Sequence, residues 1–355
     1  MKRIISILLV FCMLLCIGCT AEHQKNGATV PFTDDLGRTV ELPEKITKAA
    51  PSGAVAQMVL ATVAPEKLCA LTSTPDASVM AYLPEELEEL PAVGQLYGSR
   101  SNFNLEALLA SGAEVIIDLG QPKPDIAEAL DDLQTQTGIP AIFLSAELRD
   151  LPATYSKLGE LLGEKQNAKV LSTFIENALA VCEENRDKIP EAERVSVAFG
   201  TGPDGLSCNA AGSMQAEVIE LVGAVNAVMV PEEELSNHSG GNTISMEQMY
   251  LFDPDAIIFS ADGPAASVGE DSQWQVLRAV QEKRVYEIPS LPYSWMGTPP
   301  SVNRVLGLYW LGNLLYPEIY DYDMAKIVRQ FYGLFWRYDM SPQEAEEILS
   351  KARME

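Results

Sequence analysis

"NLEALLASGAEVIID" (Asn104–Asp118) and "SMEQMYLFDPDAIIF" (Ser245–Phe259) share few identities but one grammar: a glutamate, an apolar helix-like turn, then a strand-like run through Ile-Ile. Glu106 and Glu247 stand 247 − 106 = 141 positions apart, and the same offset carries Ile116-Ile117 onto Ile257-Ile258. A helix-then-strand unit built twice, half a chain apart, predicts two α/β halves made to one plan.

Working outward from the first copy, strands are predicted at Leu68–Thr72, Glu114–Leu119 and Ala141–Leu144. Helical patterns fall at Gly53–Val63, Leu105–Ser111 and Asp125–Thr137. Alternation of this kind implies parallel strands with right-handed crossovers. From Glu164 to Lys188 the chain keeps a helical period without Gly or Pro, and Pro190 ends it. Around the second copy, strands are expected at Val195–Phe199, Ala256–Phe259 and Val285–Ile288, with a helix over Met214–Val222. The remainder is helical, and "SPQE" at Ser341–Glu344 sets the N-cap, the Pro at N1 and the N3 glutamate of a last helix. The fold class is therefore α/β: two Rossmann-like lobes, residues 31–163 and 191–355 (the latter with extra C-terminal helices), joined by a single long inter-lobe α-helix in 164–190. Ligands of open α/β sheets sit beyond the strand carboxyl ends, which here would face one another across a cleft between the lobes.

The first residues carry a different signal. Lys2-Arg3, an apolar stretch from Ile4 to about Ile17, and Gly18-Cys19 read as a lipoprotein signal peptide over 1–18. Its core is too short for a permanent span. Cys19 would become an acylated N-terminus and 19–30 a polar tether, placing the protein in the cell envelope, lipid-anchored on the extracytoplasmic face of the membrane. Three later cysteines, Cys69, Cys182 and Cys208, are too few and too scattered for a disulfide framework or a zinc site, and read as buried small hydrophobes. Net charge is −25, or −25 − 2 = −27 once Lys2 and Arg3 are removed. That excludes a nucleic-acid footprint. It suits either solubility or the anionic half of a docking pair.

Motifs for catalysis are missing. "FGTGPDG" (Phe199–Gly205) spells G-x-G-x-x-G, but Pro203-Asp204-Gly205 reads as a turn, where a dinucleotide site needs a helix opening on the last glycine. No nucleophile elbow, HExxH or Walker A motif occurs, and of two histidines His23 lies in the tether. The reading is a binding protein and not an enzyme, with no cofactor and no metal site of its own. Loops after the strands nominate Ser52-Gly53, Tyr97 through Ser101 (with Arg100), Gln121, Gly200 through Gly202 (with Thr201), Asn237 through Asn242 (with His238), Ser260, Tyr293 and Trp295 as ligand contacts. Arg304 joins them, though a structural ion pair would explain it equally.

Taken in order, "FTDDLGRTVELPEKITK" (Phe32–Lys48), Val93-Gly94, "NLEALLASGAEVIID", the long helix, "ISMEQMYLFDPDAIIF" and "RVYEIP" (Arg284–Pro289) resemble the substrate-binding lipoproteins of ABC importers, of the iron-siderophore, haem and cobalamin class. The resemblance implies a monomer that captures a small molecule and passes it to a permease dimer in the membrane. It also implies that Glu106 and Glu247 dock on that permease, one per lobe. The segment "SWMGTPPSVNRVLGLYWLGNLLYPE" and the helices after it are longer than in the cobalamin binders. Relatives with a similar Pro-Pro-Ser and Trp-Leu signature look like molybdate or tungstate binders. Tyr97, Tyr293 and Trp295 set a metal chelate ahead of an oxyanion; the Gly-Ser-Asn loops with Arg100 and Arg304 permit the oxyanion.

Overall fold

A computed structural model describes residues 28–96, 102–123, 125–235, 241–297 and 299–350. The chain enters through an antiparallel hairpin, β1 (Thr29–Thr33) and β2 (Thr39–Pro43). A parallel three-stranded sheet follows in the order β3 (Ala49–Pro51), β4 (Val115–Gly120) and β5 (Ala141–Ser145). Its helices are α1 (Ala54–Val63), α2 (Ala77–Met80), α3 (Leu105–Ser111), α4 (Ile126–Thr137) and α5 (Leu151–Leu162). The strand expected at Leu68–Thr72 is reduced to two isolated bridges, Ala49 with Leu68 and Leu71 with Ala92. Between those bridges the segment has no continuous neighbour to pair with, so the apolar run is buried without forming a ladder.

Helix α6 (Lys165–Arg186) runs for 22 residues and leads into the second sheet. That sheet has the order β11 (Val285–Glu287), β10 (Ala256–Phe259), β6 (Ser196–Thr201), β7 (Ser207–Cys208) and β9 (Asn242–Thr243), with β8 (Val225–Asn226) parallel to β6. Helices α7 (Glu217–Leu221), α8 (Met246–Phe252), α9 (Arg278–Gln281), α10 (Arg304–Leu315), α11 (Met324–Phe331) and α12 (Pro342–Ser350) complete the chain, with a π-helical turn at Tyr332–Trp336. The glycine motif closes the β6–β7 hairpin with Gly202 and Gly205 at positive φ, and no helix opens there. The terminal capping box forms as expected: Ser341 N–H donates to Glu344 and Glu344 N–H to Ser341 Oγ.

The two quoted stretches correspond element for element at the offset of 141. N-cap Asn104 answers to Ser245, helix 105–111 to 246–252, the left-handed cap Gly112 to Asp253, and strand start 115 to 256. A helix feeding a parallel strand through so short a turn begins at the end of the sheet where strands finish. Glu106 and Glu247 therefore both stand at the strand-carboxyl end of their sheets, and both are exposed.

One apolar core runs through the chain instead of stopping at α6. It includes Val115, Ile117 and Ile142 of the first sheet, Leu171, Phe174 and Ile175 of α6, Val197 and Ile258 of the second sheet, and Phe331, Phe335 and Trp336 beyond. Continuous packing of this kind resists large rearrangement. Cys69, Cys182 and Cys208 are buried free thiols. No described helix is long and apolar enough to cross a membrane.

Candidate functional site

Strand β3 ends at Pro51 and the chain turns through Ser52 and Gly53 directly into α1. Gly53 is the N-cap, with φ −160° and ψ 176°, and no side chain caps the helix. The first N–H to find an acceptor is that of Gln57, on Gly53 O. Among the described residues nothing accepts from the N–H groups of Ala54, Val55 and Ala56, and no acidic residue lies in the first turn. These three donors sit in half-buried or buried positions. A Cβ placed on Gly53 would meet no atom within 4 Å, so the helix start faces open space. Unsatisfied N–H groups and the positive end of the helix dipole together form a receptor for a small anion.

Beneath that start lies a buried acid. The Ser52 hydroxyl donates to Asp118 Oδ1, both side chains being buried. Burial pushes the Asp118 carboxyl up to about 6, against the lowering effect of the Ser52 hydroxyl and the Leu119 backbone. Ser52 is thus committed to Asp118 and does not present a free hydroxyl. Because the folded-state pKa is raised, the native protein holds an extra proton between about pH 4 and 6. Its stability falls as pH rises through that window, and the cost is complete above it. Asp118→Asn keeps an acceptor for Ser52 and removes the charge. It should raise the unfolding free energy at pH 8 by up to about 3 kcal/mol and leave it nearly unchanged at pH 4. Urea melts at the two pH values measure this; an equal change at both would show that Asp118 does not titrate in the window.

The other nominated residues divide. Thr201 is buried and its Oγ donates to Ser207 O at 2.8 Å, closing the hairpin. Ser260 is buried and its hydroxyl is held by Asp262. Gln121 donates to Glu147 Oε1 at 3.1 Å and lines a cavity of about 290 Å³ with Glu147, Arg149, Arg186, Ser213 and Glu217. Tyr293 is half-buried, its ring 5.5 Å from that of Trp336 and its hydroxyl against Gln57 of α1. Trp295 is 0% exposed and belongs to the core, which removes it as a stacking surface. Cys19, Tyr97, Arg100 and His238 lie outside the described residues.

Arg304 resolves to the structural alternative. It is 1% exposed. It donates to Glu217 Oε2 at 2.8 Å, Met214 O at 3.1 Å, Ser301 O at 3.1 Å and Ala146 O at 2.5 Å. Glu217 in turn accepts from Leu148 N–H at 3.0 Å. Ala146 and Leu148 follow β5, so this pair fastens the second half of the chain to the first. Burial lowers the Arg304 pKa and raises that of Glu217, and each charge opposes the shift of the other. Arg304→Met strands the carboxylate and should cost about 3–5 kcal/mol in denaturant melts, most of it recovered in Arg304→Met with Glu217→Leu. No recovery in the double variant would refute a pairwise clasp.

One residue escaped the sequence reading. Asn209 follows β7 and is 0% exposed; its N–H donates to Phe199 O at 2.9 Å and its carbonyl accepts from Asn226. Both atoms of its side-chain amide lack a hydrogen-bond partner. A buried amide without partners costs free energy, and it lies beside Phe199 of β6, two residues short of the strand end.

Residues 153–292 match the family model described as periplasmic binding protein. The chain is 22% identical over 366 residues to the molybdate-binding protein MolA of Haemophilus influenzae, covering 95% of this chain and 98% of that one. A solved ABC transporter solute binding protein from Sulfurospirillum deleyianum superposes with a TM-score of 0.82 at 27% identity, covering 90% of this chain and 99% of the other. The structure of H. influenzae MolA bound to molybdate superposes with a TM-score of 0.70 at 20% identity, over 88% and 99% of the two chains.

Proposed function

We propose that this chain is a periplasmic solute-binding protein of an ABC transporter, a reading supported by the match over residues 153–292 and by the fold, and that its ligand is a tetrahedral oxyanion of the molybdate or tungstate class. The observation that carries this reading is the start of α1: three N–H donors without acceptors, open space at Gly53, and no acid in the first turn. An oxyanion accepts on every oxygen and needs small donors and backbone amides at close range. A relative similar along nearly its whole length is a molybdate binder, which supports the same chemistry. A metal chelate, set first by the aromatic residues, needs a broad stacking face. With Trp295 inside the core and the Tyr293 hydroxyl against Gln57, that support is much reduced.

In this reading the anion sits between the amides of Ala54–Ala56 and the opposite half of the chain, where Asn209 offers a donor. Arg100 and His238 are proposed as further ligand contacts. The protein acts as a monomer tethered through an acylated Cys19, and Glu106 and Glu247 each meet a cation on one subunit of the permease dimer. Asp118 links binding to pH: an anion at the helix start disfavours the nearby carboxylate, so affinity should rise as pH falls through about 6.

Calorimetric titration of the chain from Thr20 onward with molybdate, tungstate, sulfate, haem, cobalamin and a ferric siderophore tests the assignment. Saturable one-to-one binding of molybdate or tungstate, unmatched by the chelates, is the expected result. Saturable binding of a chelate with none of the oxyanions would replace the ligand and leave the transport role in place.

A further inference from the structure

Among the described residues only seven large hydrophobics are exposed, and two of them, Leu109 at 49% and Leu251 at 84%, lie on the repeated helices α3 and α8. Leu109 is three residues after Glu106, and Leu251 four after Glu247. Both spacings bring leucine and glutamate to one helix face. Nothing in the helices themselves demands this: Leu108 and Met249 bury the inward faces. Each unit therefore carries an acid beside an outward leucine at the strand-carboxyl end of its sheet, the leucine standing at a different position of the repeat in each, since Leu109 answers to Tyr250 and Leu251 to Ala110.

We infer that each unit is a composite docking pad, in which the exposed leucine enters an apolar socket next to the cation that receives the glutamate. The occupant is the pair of membrane-permease subunits: a two-subunit partner offers two related sockets to a protein that carries two related pads. Charge complementarity fixes the chemistry of that partner surface as basic, because the chain carries −25 and each pad holds an ionisable acid. Glu247 is kept ionised by its own backbone N–H and by Ser245, which lower its pKa. Glutamate steers and orients the encounter, while a buried leucine slows dissociation and is indifferent to salt. This inference rests on the permease-docking reading above and adds the apolar half of the contact.

The test compares Leu109→Ser with Leu251→Ser against Glu106→Gln with Glu247→Gln, as two double variants. Each binds the permease–ATPase complex of the same importer in lipid nanodiscs, at about 0.15 M and about 0.5 M salt. Molybdate titration serves as the folding and ligand control. The leucine variant should lose roughly tenfold in affinity per leucine at both salt levels, with its loss concentrated in the off-rate. The glutamate variant should lose most of its affinity at low salt and resemble the parent at high salt. A leucine variant within about twofold of the parent, while the glutamate variant fails to bind, would overturn the composite pad and leave docking intact. If neither variant weakens binding, the docking reading itself falls.

Discussion

Gly53→Asp should abolish oxyanion binding, raising the dissociation constant for molybdate by at least about 100-fold, while the protein melts no lower than its parent. Gly53 is extended, with φ −160°, so any residue can adopt its backbone, and a Cβ there touches nothing within 4 Å. Aspartate is a favoured N-cap whose carboxylate would accept from the N–H groups of the first turn, adding a few tenths of a kcal/mol to the helix over glycine. The same carboxylate occupies the donors proposed for the ligand and repels it. Gly53→Ala separates the two effects, since it keeps the donors open and should bind within about threefold of the parent. Loss of binding together with loss of stability would instead mark Gly53 as a packing position. Calorimetry and thermal melts on the three proteins decide between these outcomes.

Glu106→Ala with Glu247→Ala should collapse uptake, by about 100-fold or more, without changing ligand affinity. Close charge pairs across an interface couple by about 1.5–7 kcal/mol each, so two such losses exceed what transport tolerates. Both residues are exposed, and the Glu247 carboxylate bonds only its own helix start through its N–H and Ser245, so stability should change by no more than about 1 kcal/mol. Each single variant should retain partial uptake, because one pad still orients the encounter. Uptake of molybdate by cells expressing the importer reads the effect directly. Normal uptake by the double variant would remove the two glutamates from docking.

How much of this could be seen in the sequence depended on length and pattern. The repeated helix–strand unit was legible because its helices and strands are long enough to show a period, and helix bounds, caps and strand starts match at one offset. The 22-residue α6 was legible for the same reason. Strands of two residues, such as β7, β8 and β9, carry no period and were not foreseen. Helix α7 is shorter than the pattern at Met214–Val222 implied, because Ser213 Oγ and the turn through Ala216 hold the entry in a non-helical form.

The strand-end rule nominated Ser52 and Gly53 but could not say that Ser52 would be spent on Asp118. The chain around Trp295 is irregular, so nothing in its pattern distinguished an inward tryptophan from an outward one. Arg304 could be a ligand contact or an ion pair until Glu217 was placed 2.8 Å away, 304 − 217 = 87 positions earlier in the chain. Asn209, a single polar residue among small apolar neighbours in "SCNAAG", offered only that contrast as a signal.

The most direct test of the account is a crystal structure grown with tungstate, located by anomalous scattering at the tungsten edge. A single strong peak within hydrogen-bonding reach of the Ala54, Val55 and Ala56 amides, about 3–4 Å from tungsten to nitrogen, is the predicted result. A peak elsewhere, or none at a saturating concentration, would contradict an anion receptor at the start of α1.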